Sequence, residues 1–318
     1  MSQSKPSVPK VKAKSSAKMR SAAAFRASVA EAEQASRRAA CSDLIARVKD
    51  LEGVPVFVTR MLQAIDDPKA SPKAVGTEIA KDQAVLAMVL RTANSSYYRS
   101  SGQVRDVTEA IVVLGFDTVR QLVFGRLSKH VLRRNDAFQK ALWRHSLACG
   151  IAAQACARKV KGVTVPHAFT GALLHDVGKG VLHEASPVAY VRLIKEAEED
   201  PRPTDEIELE RFGTHHADVG AELLSRWSLP TIYQTIAHFH HDPDAAKDAD
   251  DKDRRMLAIV SLSDAVALSL GHGPRPGRPI DELVTHPMLK RLGGNRALLD
   301  EMAQAVDAEL KELASAFG

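Results

Sequence analysis

The run Leu173-Leu174-His175-Asp176-Val177-Gly178-Lys179 sets an adjacent histidine and aspartate at the end of an apolar stretch, followed by a glycine and a lysine. Elsewhere stand His145, His216, the doublet His240-His241, and Asp264 inside LAIVSLSDAVALSL. An ionised aspartate between Val260, Leu262, Val266 and Leu268 is costly to bury unless a positive charge meets it. Imidazole and carboxylate donors together suit first-row transition ions, and one carboxylate can bridge two ions because its oxygens point to different places. The residues therefore predict one or two divalent ions of the Fe, Mn or Zn class. The first takes His145, His175, Asp176 and Asp264, the second takes Asp176, His216, His240 and His241, and Asp176 is shared.

Such an ion pair activates water and clamps phosphoryl oxygens, which suits hydrolysis of a phosphate ester. Asp176 and Lys179 are the candidate catalytic residues, the lysine lying one helical turn past His175 where it can meet a phosphate charge. Taken singly, each of these histidines is more often a satisfied core residue than a ligand. It is the constellation that points to metal. His183, His215 and His238 are assigned no role.

The chain around these residues has 318 positions, 45% hydrophobic, 26% charged and 5% aromatic. That balance excludes collagen-like, disulfide-rich and wholly disordered classes and allows one large domain or two small ones. The net charge of +5 is carried by the N-terminal end, because residues 1–40 hold nine Lys and Arg against Glu31 and Glu33. The remainder is close to neutral, which argues against a broad phosphate-tracking surface and leaves the basic tail as the one place for nucleic acid. Three cysteines, Cys41, Cys149 and Cys156, are too few for a disulfide framework; Cys149 and Cys156, seven apart in a helical pattern, read as small apolar packing residues. No stretch approaches the roughly 20 apolar residues of a membrane span, and a cytoplasmic location is expected.

The elements that must position the donors read as helices throughout. Apolar periodicity of 3.6 recurs at about 117–132, 137–160, 166–178, 187–199, 216–228, 230–240, 253–270 and 294–316. Ser71-Pro72 is a helix start, Asp106 with Glu109 is a capping-box pattern, and Gly115 is a stop. Two β-type runs, Val54 to Val58 and Ile111 to Leu114, are short and lack alternation, so the fold class is all-α. Residues 1–20 are expected to be a disordered basic tail. Residues 21–45 are a helical lead-in to the domain, on one helix expected to run to about residue 50 with Leu44, Ile45, Val48 and Leu51 forming its inward face.

At the level of motifs the sequence resembles the HD superfamily of metal-dependent phosphohydrolases, and within it the HDOD proteins, the HD-related output domains of bacterial signalling. The resemblance rests on VPVFVTRMLQAIDDPKASPKAVGTEIAKDQAVLAMVLRTANSSYY, EAIVVLGFDTVRQLV, LWRHSLACG, LLHDVGKGVL, ERFGTHHADVGAELLSRWSLP and IAHFHHDP. It covers about residues 46–272. It implies an HD-like helical bundle, with an N-terminal lobe at about 46–134 and an HD-like lobe at about 135–272. Beyond it, the Gly, Pro and Arg loop and the apolar period at 294–316 read as a C-terminal helical extension at 273–318.

The resemblance also implies signal output through protein partners, in a family whose metal ligands are frequently lost. Here His145, His175, Asp176, His216, His240, His241 and Asp264 all match the ligand positions of the active two-metal HD-GYP phosphodiesterases. The chain departs from those enzymes after His241, where Asp242-Pro243-Asp244 replaces the Gly-Tyr-Pro segment that shapes their substrate site. Ala141 stands where three-metal relatives carry a glutamate. The expectation is a signal-output protein with a metal site, acting through a partner or a nucleotide or phosphoester ligand. The alternative is an active metal-dependent phosphohydrolase.

Overall fold

Helix-forming periodicity along nearly the whole chain leaves no strand among the described residues of the computed structural model, which are 12–49, 51, 53–95, 98, 103–134, 136–273 and 276–317. In chain order the helices are α1 (Lys12–Ala46), α2 (Val56–Asp66), α3 (Pro72–Ile79), α4 (Gln83–Ala93) and α5 (Val107–Val131). The central group follows as α6 (Ala137–Ala157), α7 (Val165–Leu174), α8 (Val177–Ala185), α9 (Pro187–Glu199) and α10 (Thr204–Phe212). The last five are α11 (His216–Arg226), α12 (Thr231–Phe239), α13 (Asp251–Ser269), α14 (Pro287–Arg291) and α15 (Arg296–Phe317). The architecture is all-α.

Local chemistry accounts for several boundaries. Ser71 accepts a hydrogen bond from the Ala74 amide, with Pro72 at the first helical position. Asp106 accepts from the amides of Thr108 and Glu109, and Glu109 reaches back to the Arg105 amide. Gly115, at φ 76°, breaks α5 into two segments, as its sequence position predicts.

One buried apolar cluster runs from Cys41 to Leu310. The expected inward face of the lead-in, Leu44, Ile45, Val48 and Leu51, lies within it. α6 is the central rod: it packs on α7, α13 and α15, and α15 also touches α4. The C-terminal helix therefore joins the core. Trp227 is buried and its indole donates to the Leu51 carbonyl. Asn94 ties the end of α4 to Val104 through two hydrogen bonds, a structural role.

The two β-type runs are helical, as the all-α reading requires: Val56 to Val58 open α2 and Ile111 to Leu114 lie in α5, with Val58, Ile111 and Leu114 buried. The structure differs from the sequence reading in two places. The pattern at 166–178 is two helices, broken at His175-Asp176. α1 begins at Lys12, inside the segment expected to be disordered, where Ala13, Lys14, Ala17, Lys18 and Met19 are good helix formers. Residues 1–11 of that tail lie outside the described residues.

Candidate metal centre

The break between α7 and α8 creates the site. His175 is the C-cap of α7 and Asp176 the N-cap position of α8, and the Asp176 side chain makes no capping bond. It turns inward instead. α8 starts in direct contact with α11: a Cβ on Gly178 would sit 1.9 Å from the His216 carbonyl oxygen, so only glycine lets the two helix starts meet. His216 opens α11, His240 caps the C-terminus of α12 with His241 after it, His145 lies mid-α6 and Asp264 mid-α13. All seven sequence-predicted donors meet in one pocket.

Asp176 lies between two groups of donors. Its Oδ2 is 3.4 Å from His145 Nε2 and 3.5 Å from His175 Nε2, while its Oδ1 is 3.4 Å from His216 Nε2 and 3.5 Å from His240 Nε2. Asp264 Oδ1 adds a contact of 3.2 Å to His145 and one of 3.9 Å to His175. His241 Nε2 is 2.8 Å from His216 Nε2. Two sets of donor atoms lie within 4.8 Å of one another: His145, Cys149, His175 and Asp264, and Asp176, His216, His240 and His241.

The outer nitrogens of these rings are committed. Nδ1–H of His145 donates to the His272 carbonyl at 2.6 Å, that of His175 to Ala172 at 2.5 Å and that of His240 to Ala237 at 2.9 Å. Nδ1–H of His216 donates to Glu208 Oε2 at 2.6 Å. The geometry thus assigns the tautomer of the neutral rings, so the inward Nε2 atoms of His175, His216 and His240 carry lone pairs, and that of His145 does so once its proton is displaced. His175 Nε2, Asp176 Oδ1 and His240 Nε2 are buried without a hydrogen-bond partner among the described residues. Buried acceptors aimed at one another without donors are what a cation site requires, so the residues fit divalent metal ions.

The electrostatics agree. Burial opposes ionisation of Asp176, but His175, Lys179, His145 and His240 outweigh it and hold the carboxyl well below its usual range. Asp264 is also held low, burial being outweighed by His145 and His175. Burial lowers His175 to about 4, and burial with Lys179 nearby keeps His216 well below the ordinary imidazole value. His241 is likewise lowered by burial and its histidine neighbours. His145 goes the other way: burial opposes its proton, but Cys149, Asp176 and Asp264 prevail. The carboxylate pair calls for a cation here, supplied either by a proton on His145 or by a metal ion.

Lys179 is buried with Nζ 2.6 Å from Asp176 Oδ2, an internal counter-ion of the shared carboxylate. On the solvent side the pocket is bounded by Asp264, whose side chain is 19% exposed, and by His241, which is exposed. Two residues escaped the sequence reading. Glu208, fully buried and pushed up to about 7 by burial, holds His216 and accepts from the Tyr190 hydroxyl at 2.6 Å. Cys149, read as a packing residue, faces the first donor group; its spacing of four from His145 was the available signal. His183, His215 and His238 serve structure, pairing with Asp136 or Asp218.

An uncharacterized protein of Treponema pallidum (strain Nichols) is 24% identical over 197 residues, which are 62% of this chain and 38% of that protein. The chain thus spans well under half the length of that relative. Its fold is similar to that of an HDOD domain protein of unknown function from Geobacter sulfurreducens, with TM-score 0.72 and 23% identity over 88% of this chain and 97% of that one. It is also similar to a candidate signal transduction protein from Marinobacter aquaeolei VT8, with TM-score 0.72 and 21% identity over 89% of this chain and 65% of that one. No helix among the described residues is long and apolar enough to cross a membrane. Residues 51–243, more than half of the chain, match the HDOD domain family, and the chain belongs to that family.

Proposed function

We propose that this chain is a signal-output protein whose HD-type pocket holds two divalent transition-metal ions of the Fe, Mn or Zn class, bridged by Asp176, and acts through a protein partner or a nucleotide ligand. One observation carries the metal reading. The Nδ1 hydrogens of His145, His175, His216 and His240 all point outward, so four Nε2 atoms and both Asp176 oxygens converge, with the His145 proton standing where a metal ion would replace it. Family membership supports the output role. So does the run Asp242-Pro243-Asp244 after His241, which lacks a Gly-Tyr-Pro segment for shaping a substrate site.

The test is metal content per chain, by elemental mass spectrometry on protein purified without oxygen or chelator, beside Asp176→Ala. Near two ions in the wild type and none in the variant is the expected result. A wild-type protein that carries no metal, and takes up none from Fe, Mn or Zn solutions, overturns the metal reading.

A second reading, a metal-dependent phosphohydrolase, is favoured by the partial exposure of Asp264 and His241, which gives a phosphoester a way in. The ions would supply Lewis acidity to the phosphoryl group. Lys179 is bonded to Asp176, so a direct role on phosphate requires it to leave that carboxylate. Metal-loaded protein assayed on nucleoside monophosphates, cyclic mononucleotides and cyclic dinucleotides, with Asp176→Ala as blank, decides this reading: metal-dependent turnover supports it and inert loaded protein removes it.

A further inference from the structure

The geometry points to Cys149 as a thiolate ligand of the ion held by His145, His175 and Asp264, which makes the two halves of the centre chemically unequal. The inference rests on the two-ion reading above. Cys149 follows His145 by four residues on α6, so both side chains leave the same helix face one turn apart. Its Sγ lies 3.5 Å from His145 Nε2. The sulfur, the two imidazole nitrogens and an Asp264 oxygen all fall within 4.8 Å of one another.

Ligand bond lengths allow this to be checked. Bonds of about 2.0–2.1 Å to nitrogen or oxygen and about 2.3 Å to sulfur put neighbouring donors about 3.0–3.6 Å apart, from the five-coordinate case, in which Asp176 also binds, to the tetrahedral one. The Cys149–His145 separation of 3.5 Å and the His145–Asp264 separation of 3.2 Å are close to those edges. An ion bound to His145 and Asp264 would therefore lie beside the sulfur, which is within 4.8 Å of every other donor of the set.

The other two cysteines act as internal controls. Cys41 is buried against the Thr214 hydroxyl, and Cys156, two turns further along α6, is buried among apolar side chains. Cys149 differs from both in that its polar neighbour is the ring that faces the two carboxylates.

On binding, the thiol proton leaves to solvent and the sulfur lone pair forms the bond to the ion, with no change of oxidation state. Sulfur in the first set biases it toward softer ions such as Zn²⁺, Fe²⁺ and Co²⁺. The second set, Asp176, His216, His240 and His241, offers only nitrogen and oxygen.

Cobalt(II) titration of the metal-stripped full chain tests this. The wild type and Cys156→Ser should show visible d–d bands together with a near-ultraviolet sulfur-to-cobalt charge-transfer band that saturates at one cobalt per chain. Cys149→Ser and Cys149→Ala should keep d–d bands and lose the charge-transfer band. Wild-type d–d bands without charge transfer overturn the inference while leaving the two-ion reading intact, as does charge transfer that survives both Cys149 variants. Wild-type protein that retains no cobalt and shows neither band overturns the two-ion reading and this inference with it.

Discussion

Glu208 holds His216 at two points: its Oε2 accepts the His216 backbone amide at 2.7 Å and the ring Nδ1–H at 2.6 Å. Its other oxygen takes the Tyr190 hydroxyl, so the carboxylate is itself fixed. A carboxylate behind a ligating imidazole sets the ring's tautomer and raises its basicity. Glu208→Gln should therefore weaken the second ion by about 10–100-fold while sparing the first. Chelator competition, monitored by metal content, reads both sites. Unchanged affinity at the second site would reduce Glu208 to a structural residue.

The contact between Gly178 and the His216 carbonyl makes a separate prediction about stability. The added Cβ of Gly178→Ala would meet two backbone atoms of one turn of α11, His216 O at 1.9 Å and Gly220 N at 2.7 Å, and backbone cannot rotate away. We expect a loss of about 3 kcal/mol or more. Gly150→Ala should cost less, because its Cβ would meet the Phe169 ring at 2.9 Å and a side chain can shift. Denaturant unfolding of the two variants compares them directly, and equal losses would contradict the argument.

Five of the donors, His175, Asp176, His240, His241 and Asp264, are legible because an adjacent His-Asp pair, a His doublet and an aspartate in an apolar helix are anomalies of local pattern. His145 and His216 are legible only through the constellation and the family resemblance. Glu208 is not legible, because an acid in a charged stretch such as IELERF looks like a solvated face until the chain folds Tyr190 and His216 onto it. Cys149 packs in the core as its sequence setting predicts, and the approach of α7 and α13 to α6 adds what the sequence does not show, that its sulfur also faces the donor group. The helix break at His175-Asp176 was hidden because the apolar period continues through it, although the backbone must turn there to aim both side chains at one pocket.

Asp218, in the first turn of the helix that His216 opens, gives a pH-dependent prediction. Its Oδ1 is 3.1 Å from His238 Nδ1 and its Oδ2 3.3 Å from His215 Nε2, while His215 caps α11, the helix that His216 opens. Burial raises the carboxyl, but the His238 hydrogen bond and the charges of His215 and His238 outweigh it, so the folded value lies below the ordinary 3.8. A depressed carboxylate contributes stability that is present above 3.8 and is lost as pH falls through the folded value. At pH 5, Asp218→Asn should be less stable by about 1 kcal/mol. The gap should close as pH drops below 3.8, and a gap that persists there would exclude the ion-pair origin.

Lys179 and a metal ion meet the same charge, and that makes them thermodynamically coupled. In the metal-free chain the buried ammonium, 2.6 Å from Oδ2, is the closest cation to Asp176, and it is itself stabilised there despite burial, chiefly by Asp176 and Asp264. Lys179→Met removes that cation and leaves a buried carboxylate poorly compensated, at a cost of roughly 3 kcal/mol or more. A divalent ion between the histidines restores positive charge beside the same oxygen, so the loss should shrink when metal is present. Because a ligand at concentration L that binds only the folded state stabilises it by RT ln(1 + L/Kd), and removal of the competing ammonium tightens metal binding, the variant should gain more from added metal than the wild type does. Unfolding of both proteins with chelator and with saturating Zn or Mn gives the four stabilities needed. An equal loss with and without metal would show that Lys179 and the ion do not share Asp176, and would place the ion away from this carboxylate.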